Sequence, residues 1–284
     1  MKNGYSLHIG INQLDAEHYD GWDGRLNACE YDAQDMKSLA ANTGYQTNML
    51  LTANATRKKV VEGIKAISKK TKAGDVFFLS YSGHGGRVAD VDKDEEDGKD
   101  ETWCLYDAQL LDDELYRLYA TFPSGVRIIV LSDSCHSGTV TRAAITTRFT
   151  DSIPATAVGS LISSDLRQSE RPSYRCMPPV KSASVYGKNR KFYDSLQKQR
   201  KAPEVKASVQ LISGCQDNQY SLDGEFNGLF TGTLLKVWSN GSFDGDYRLF
   251  HKAIAKRMPP TQSPNHYIYG PNQSNFASQN PFEI

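Results

Sequence analysis

Apolar runs and amphipathic helical patterns alternate along this chain of 284 residues, and that alternation limits its fold more than any other feature. We predict strands at the runs YSLHIGI, TNMLL, DVFFLSYSGHG, VRIIVLSD, ASVQLISGC and NHYIYG. Apolar residues recur at helical spacing in residues 27–42, 56–72, 112–122, 228–238 and 247–258. Strands separated by helices favour an α/β fold, in which helices sandwich a mainly parallel central β-sheet of about six strands.

The charge and cysteine content narrow the class of protein. Lys plus Arg and Asp plus Glu both number 33, so the overall charge indicates neither a nucleic acid nor a membrane surface as partner. The five cysteines are scattered and form no C-x-x-C pair, which argues against a disulfide framework or a zinc site and fits a reducing compartment. The N-terminus shows no apolar signal core, and no apolar run reaches the length that crosses a bilayer. We therefore expect a cytoplasmic protein.

Two of the most apolar strands end in reactive residues. SYSGHGG contains His84, and SDSCHSG contains Cys135. Because neighbouring parallel strands present their carboxyl ends at one edge of a sheet, we expect the two side chains to meet there. A nearby imidazole favours the thiolate, which is the attacking species, and later protonates the leaving amine. The pair predicts nucleophilic catalysis by Cys135 with His84 as the base.

His136 is closer to Cys135 in sequence, but adjacent residues at a strand end tend to point in opposite directions. We therefore favour His84 as the base and expect His136 to make a structural or rim contact. The backbone N–H groups near Gly85 and Cys135 are candidates for an oxyanion hole, usually the largest catalytic contribution.

YSGHG and DSCHSG resemble the two catalytic motifs of the metacaspases and related prokaryotic caspase-like cysteine peptidases of the C14 type. The segments LNACEYDAQDM, DDEL, ISGCQDNQ and PNQSNFASQNPF also resemble the family. The resemblance implies a single caspase-like domain over residues 1–284, with a p20-like part at 1–180, a basic linker at 181–206 and a p10-like part at 207–284.

The resemblance also implies an acidic pocket for the substrate residue that precedes the cut bond. The resemblance places Cys29 and Asp32 in the same pocket as Asp133, and it places Ser82 beside the catalytic base. Two carboxylates in a small cleft bind a guanidinium bidentately or an ammonium as a point charge, so we expect cleavage after Arg or Lys. The alternatives are an exposed helix charge for Asp32 and, for Asp133, a carboxylate that accepts backbone N–H bonds at a turn, which is compatible with the pocket.

The interval from Lys181 to Lys206 is dense in Lys and Arg. A protease specific for basic residues could cut it in itself or in a neighbouring molecule. The alternative is a solvated linker, and the sequence does not select a bond.

Calcium is an activator in many relatives, although the chemistry itself needs no cofactor. The positions that match the calcium ligands are Asp100, Asp112 and Asp113, whose oxygen atoms suit Ca²⁺. The fourth carboxylate of the family falls here on Arg142, a cation that repels the ion. The segment DVDKDEEDGKDE lacks the EF-hand spacing, because Gly98 comes one position late, and the alternative is a soluble acidic loop at residues 87–101.

Together these features predict a cysteine endopeptidase that acts on proteins or peptides with a basic residue before the cut bond. We expect a monomer, and control by a regulatory partner stays open. One alternative is a catalytically silent caspase-fold scaffold or regulator, against which the intact Cys135 and His84 pair argues. Another is a cysteine hydrolase of a non-peptide ester or amide, which the acidic pocket without a phosphate-binding loop disfavours.

Overall fold

The computed structural model describes residues 2–90, 99–135, 173–198, 203–215, 219 and 221–284. Its strands are β1 (Gly4–Gly10), β2 (Gln46–Leu51), β3 (Val76–Ser82), β4 (Gly85–Ala89), β5 (Lys99–Cys104), β6 (Gln109–Leu111), β7 (Arg127–Asp133), β8 (Ser208–Ser213) and β9 (Asn265–Tyr269). Its α-helices are α1 (Cys29–Asn42), α2 (Arg57–Ser68), α3 (Asp112–Tyr119), α4 (Pro179–Lys188), α5 (Arg190–Gln197), α6 (Leu229–Trp238), α7 (Tyr247–Ala255) and α8 (Gln273–Ala277).

The central sheet has six strands in the order β2-β1-β3-β7-β8-β9. Its strands pair in parallel except β9, which pairs antiparallel with β8. This confirms the predicted α/β fold with a mainly parallel sheet. The pairing of β3 with β7 sets the position of the site, because it aligns the carboxyl ends of the two strands that precede His84 and Cys135.

Helices cover both faces of the sheet because successive side chains of its buried strands point to opposite sides. On β3, Phe77 and Leu79 belong to one apolar core and Phe78 to the other. The first core is closed by buried residues of α2, α3, α4 and α5, and the second by buried residues of α1, α6 and α7. Side-chain caps fix two of these helices: Thr56 accepts a hydrogen bond at the start of α2, and Asp246 does so at the start of α7.

A second sheet lies where the sequence predicts a continued strand and an acidic loop. β3 ends at Ser82, and the chain then forms the antiparallel sheet β4-β5-β6. Residues 87–90 and 99–101 of the predicted loop lie in or next to β4 and β5, where Arg87 pairs with Glu101 at 3.2 Å. Residues 91–98, with Gly98, lie outside the described residues.

The basic interval predicted as a linker is largely helical. Lys181 to Gln197 falls almost entirely within α4 and α5, because Val185, Tyr193 and Leu196 recur at helical spacing and are buried against the rest of the domain. The sequence prediction counted the charges of this interval and missed its apolar stripe. In the part of the chain that the structure describes, no helix is long and apolar enough to cross a membrane.

Candidate active site

Cys135 and His84 each follow the carboxyl end of one of two paired strands. Ser82, the last residue of β3, lies opposite Asp133, the last residue of β7. His84 and Cys135 each come two residues further on, and both side chains are buried at this edge of the sheet. The structure therefore places the predicted nucleophile and the predicted base at the same edge.

His84 is held in the form that a general base requires. Its Nε2 lies 2.9 Å from the carbonyl oxygen of Gly24, and since a carbonyl can only accept, Nε2 carries the proton. Nδ1 then bears the lone pair, and it has no hydrogen-bond partner among the described residues. Trp22 covers the imidazole at a ring distance of 4.7 Å. Burial lowers the pKa of His84 to about 4, so the ring is neutral at pH 7 and able to accept a proton.

Cys135 is a protonated thiol in this state. Burial raises its pKa well above the ordinary value, and the thiols of Cys176 and Cys215 raise it further. Its Sγ accepts a hydrogen bond of 3.0 Å from the amide of Ser221. Exposure of the sulfur to water would lower the pKa of this thiol.

The two amides predicted to form an oxyanion hole converge on one oxygen. The N–H groups of Gly85 and Cys135 both donate to the carbonyl oxygen of Arg175, each at 3.0 Å. A Cβ at position 85 would lie 1.8 Å from the carbonyl oxygen of Cys135, so only glycine fits there. Two donors on one carbonyl oxygen form the arrangement that stabilises an oxyanion.

The guanidinium of the same residue, Arg175, lies in a pocket of three carboxylates. Its Nη2 contacts Asp32 at 2.7 Å and Asp223 at 3.0 Å, and its Nη1 contacts Asp133 at 2.9 Å. The Arg175 side chain is fully buried. Nη1 also donates to the hydroxyl of Ser82 at 2.9 Å. Every nitrogen of the guanidinium has an acceptor, since Nε lies 3.3 Å from Asp223.

Neutral donors orient the carboxylate of Asp32. It accepts hydrogen bonds from the hydroxyl of Ser82 at 2.7 Å and from the backbone of Gly228 at 3.1 Å. Burial raises the pKa of Asp32, while Arg175 opposes that shift. Gly228 also makes room for the guanidinium, because a Cβ there would lie 2.5 Å from its carbon.

Asp133 is held in the same way by residues of the C-terminal part. Ser221 donates its hydroxyl to Asp133 at 2.6 Å, and Thr231 donates its hydroxyl at 2.8 Å and its amide at 3.1 Å. A carboxylate fixed by several donors presents its charge in one direction, which is what recognition of a guanidinium requires.

The structure brings together all four residues predicted to line the substrate pocket. Cys29 lies beside Ser82 and Arg175, and burial raises the pKa of its thiol. With Asp32 and Asp133 it forms one wall of the pocket. The third carboxylate, Asp223, was missed by sequence reasoning because it lies in a loop after β8, where only the turn-forming pair Asp-Gly marks it.

The three positions predicted to bind calcium lie at the start of α3 and on β5. Burial raises the pKa of Asp112 well above its ordinary value, and the charges of Asp100 and Glu101 raise it further. Asp113 pairs with Arg117 at 3.0 Å. In the described part of the chain, no three His, Cys, Asp or Glu side chains are placed to hold a metal ion. Calcium binding by these residues stays a prediction.

His136 and Arg142, to which the sequence assigns a rim contact and a repulsion of calcium, lie outside the described residues. The rim contact expected of His136 and the repulsion expected of Arg142 stay predictions.

A buried thiol and a neutral imidazole at the carboxyl edge of a parallel sheet, with two backbone amides that converge on one oxygen, form the arrangement that cysteine hydrolases use. The caspase domain family of C14 peptidases matches residues 7–280. The chain belongs to this family of cysteine-type peptidases.

Curated relatives and solved structures agree with that assignment. The chain is 30% identical over 253 residues to metacaspase-1 of Schizosaccharomyces pombe, covering 81% of this chain and 57% of the relative. It is 37% identical over 149 residues to metacaspase-1 of Botryotinia fuckeliana, covering 47% of this chain and 34% of the relative. The chain thus spans less than two thirds of the length of these relatives.

Two solved structures show the same fold. The crystal structure of protein GSU0716 from Geobacter sulfurreducens has a TM-score of 0.84 and 49% identity, covering 99% of both chains. Caspase-1 from Spodoptera frugiperda has a TM-score of 0.56 and 10% identity, covering 95% of this chain and 86% of the other.

Proposed function

We propose that this chain is a cysteine endopeptidase that cleaves proteins or peptides after Arg and, less efficiently, after Lys. The observation that carries the proposal is the position of one residue, Arg175. Its carbonyl oxygen lies between the amides of Gly85 and Cys135 while its guanidinium lies among three carboxylates. The substrate residue that precedes the cut bond must make both contacts at once, with its carbonyl oxygen at the two amides and its side chain in the acidic pocket.

The reaction follows from the side chains in place. Nδ1 of His84 takes the proton of the Cys135 thiol, and the sulfur attacks the substrate carbonyl carbon. The amides of Gly85 and Cys135 stabilise the negative oxygen of the tetrahedral intermediate. His84 then protonates the leaving amine, and water hydrolyses the thioester. The proposed steps use only these groups, the substrate and water.

The preference for Arg over Lys rests on the number of donors that the pocket engages. Nε, Nη1 and Nη2 of Arg175 each contact a carboxylate. A lysine ammonium is a compact charge with three donors on one atom, so it cannot reach all three acids in the same way. Acidic residues would meet three negative charges in this pocket and are excluded.

The test is a comparison of fluorogenic peptides that end in Arg, Lys or Asp, with the purified full chain as enzyme and turnover followed over time. Turnover is expected in the order Arg, then Lys, with none for Asp, and Cys135→Ala is expected to abolish it. Cys104→Ala is the matched control, because Cys104 is also a buried thiol but lies on β5. Equal turnover by Cys135→Ala, or a preference for Asp, would overturn the proposal, and inactivity of every form would favour the scaffold or regulator.

Calcium activation, a monomeric state and a regulatory partner stay predictions from the resemblance. The proposed steps use only protein groups and water, and calcium enters the proposal as an activator alone.

A further inference from the structure

The segment Ser173–Met177 lies in the cleft in the manner of a bound peptide. The amide of Arg175 donates to the carbonyl of Ser221 at 2.9 Å, and the amide of Asp223 donates to the carbonyl of Ser173 at 2.9 Å. This pairing places Tyr174 antiparallel to Leu222.

The same segment continues past Arg175 along β4. The amide of Met177 donates to the carbonyl of Gly85 at 2.8 Å, and Cys176 pairs in parallel with Gly85. The backbone is therefore held on both sides of the Arg175–Cys176 bond. Extended backbone with hydrogen bonds on both sides of one bond is how a sheet edge recognises a peptide.

We propose that Arg175–Cys176 is the bond that this enzyme cuts in itself, and that the segment Ser173–Met177 blocks the active site until it does so. The inference rests on the proposed function and adds its processing site and its regulation. While the segment is in place, Arg175 fills the acidic pocket and its carbonyl fills the oxyanion hole, so no other substrate can bind.

The chemistry balances without any further reactant than water. The Cys135 sulfur bonds to the carbonyl carbon of Arg175, and the bond from that carbon to the nitrogen of Cys176 breaks. The thiol proton passes through His84 to the nitrogen of Cys176, which leaves as a free amine. Water then hydrolyses the thioester, which releases Arg175 as a new C-terminus and regenerates the thiol.

The burial of Arg175 favours this role over a purely structural one. A buried cation is costly unless it is paired with an opposite charge and hydrogen-bonded. Here three carboxyl groups surround one guanidinium, which makes the pocket a binding site for a cationic side chain. Such a pocket keeps its affinity for a second cationic side chain after the first one leaves.

The helical part of the basic interval is a poorer target for self-cleavage. A protease binds its substrate as extended backbone, whereas Lys181, Lys188 and Arg190 lie in α4 and α5. The inference therefore places self-processing a few residues upstream of these helices. Tyr174, which precedes Arg175, is 46% exposed. The cleft does not enclose the side chain at this position, so it can accept different residues there.

Cleavage at this bond leaves a distinctive product. The new N-terminus is Cys176, and an N-terminal cysteine reacts selectively with a cyanobenzothiazole probe because it carries both an amine and a thiol. The purified full chain is incubated, treated with the probe and measured by intact mass. We expect fragments 1–175 and 176–284, with the probe on the second.

Four variants locate the reaction, two at cysteines and two at arginines. Cys135→Ala is expected to stay intact, whereas Cys104→Ala is cut like the wild type. Arg175→Gln is expected to lose the cut, whereas Arg190→Gln, which removes an exposed cation of the basic interval, keeps it. A cut at another bond in the wild type, or the same cut in Cys135→Ala, would overturn the proposal.

Because Arg175→Gln leaves three buried carboxylates without their cation, Cys176→Pro serves as a second variant. It keeps Arg175 in the pocket and replaces the amide N–H of the cut bond by a tertiary amide, so we expect it to remain uncut and to lose turnover of an Arg peptide. In the wild type, turnover is expected to rise with the fraction of chain that is cut.

The outcomes separate this inference from the proposed function. Turnover of Arg peptides by uncut Cys176→Pro would overturn the blocking role and leave the peptidase intact. Cleavage of the peptide without any cut at Arg175 would overturn the processing site alone. Absence of both reactions in every form, Arg175→Gln included, would overturn the proposed function as well.

Discussion

Asp133 contacts the guanidinium of Arg175 at 2.9 Å, two residues before the thiol of Cys135. In the proposed function, the same strand end supplies both specificity and chemistry. The two-residue separation between Asp133, the last residue of β7, and Cys135 then sets the distance between the carboxylate that binds the substrate side chain and the sulfur that attacks the backbone of the same residue.

Removal of one pocket charge is expected to weaken Arg selection. Asp223→Asn removes the negative charge from the group that accepts hydrogen bonds from Nε and Nη2 of the arginine. A charge-assisted hydrogen bond contributes about 1.5–3 kcal/mol, so kcat/KM for an Arg peptide should fall roughly 10- to 100-fold. Asp23→Asn, in an exposed pair with Arg25, is the matched control and should leave kcat/KM unchanged. Equal values for both variants would place the pocket elsewhere.

The oxyanion hole is expected to depend on the absence of a side chain at position 85. In Gly85→Ala the new Cβ would meet the carbonyl oxygen of Cys135 at 1.8 Å and push the two amides apart. Loss of one oxyanion donor costs roughly 100- to 1000-fold in kcat, and we expect a fall of that order. Gly187→Ala on α4, where nothing lies within 4 Å, should leave kcat intact. A fully active Gly85→Ala would contradict the assignment.

Departure of the segment Ser173–Met177 is expected to make Cys135 reactive. Burial holds the pKa of this thiol well above its ordinary value, and exposure to water lowers it. Iodoacetamide should therefore alkylate Cys135 quickly in the processed protein and slowly in Cys176→Pro, as measured by mass spectrometry of the tryptic peptides. Equal alkylation rates in the two forms would show that the segment does not cover the sulfur.

The free energy of unfolding is expected to fall on acidification, because the buried histidines bind protons more readily in the unfolded chain than in the folded one. Burial lowers the pKa of His8 to about 3 and that of His84 to about 4, against an ordinary value of 6.5. The contribution of these two histidines to the free energy of unfolding is complete above pH 6.5. It is lost as the pH falls toward 4, by up to about 1.4 kcal/mol per pH unit for each group. Urea unfolding of Cys135→Ala at pH 7 and pH 5 measures this loss.

The variant His8→Gln in the same background is expected to lose less stability between those two pH values. His8 lies on β1, two residues before the strand ends at Gly10, and its Nδ1 lies 2.8 Å from the hydroxyl of Ser80. An unchanged pH dependence in His8→Gln would show that this histidine does not contribute.

Calcium binding is a prediction from the resemblance to metacaspases, and titration tests it directly. If Asp100, Asp112 and Asp113 bind the ion, calorimetric titration should give heat with the wild type and none with Asp112→Asn. No heat with the wild type would end the calcium hypothesis. A signal of equal size in both proteins would place any calcium site on other residues.

The sequence predicted the parts of the fold that depend on periodicity and the parts of the site that depend on strand ends. Alternating apolar runs located the six strands of the central sheet, and the residues after β3 and β7 located His84 and Cys135. Asp32 and Cys29 followed only from the resemblance to metacaspases, because one position on an amphipathic helix does not reveal what it faces.

The remainder depends on contacts that no local pattern encodes. Asp223 and Arg175 lie in irregular segments and meet only through pairing of Tyr174 with Leu222. The second sheet was missed because its strands are short and rich in charged residues, such as Arg87 and Glu101, which pair with each other at 3.2 Å. Strand propensity is weak in such segments, and tertiary pairing decides their structure.

The most direct measurement is covalent labelling of the processed protein with two matched chloromethyl ketones, one of a peptide ending in Arg and one of a peptide ending in Asp. The account predicts that the Arg compound labels Cys135 alone, as located by peptide mass mapping, and that the Asp compound leaves the protein unlabelled. Labelling by both compounds, or attachment of the Arg compound to another cysteine, would contradict it.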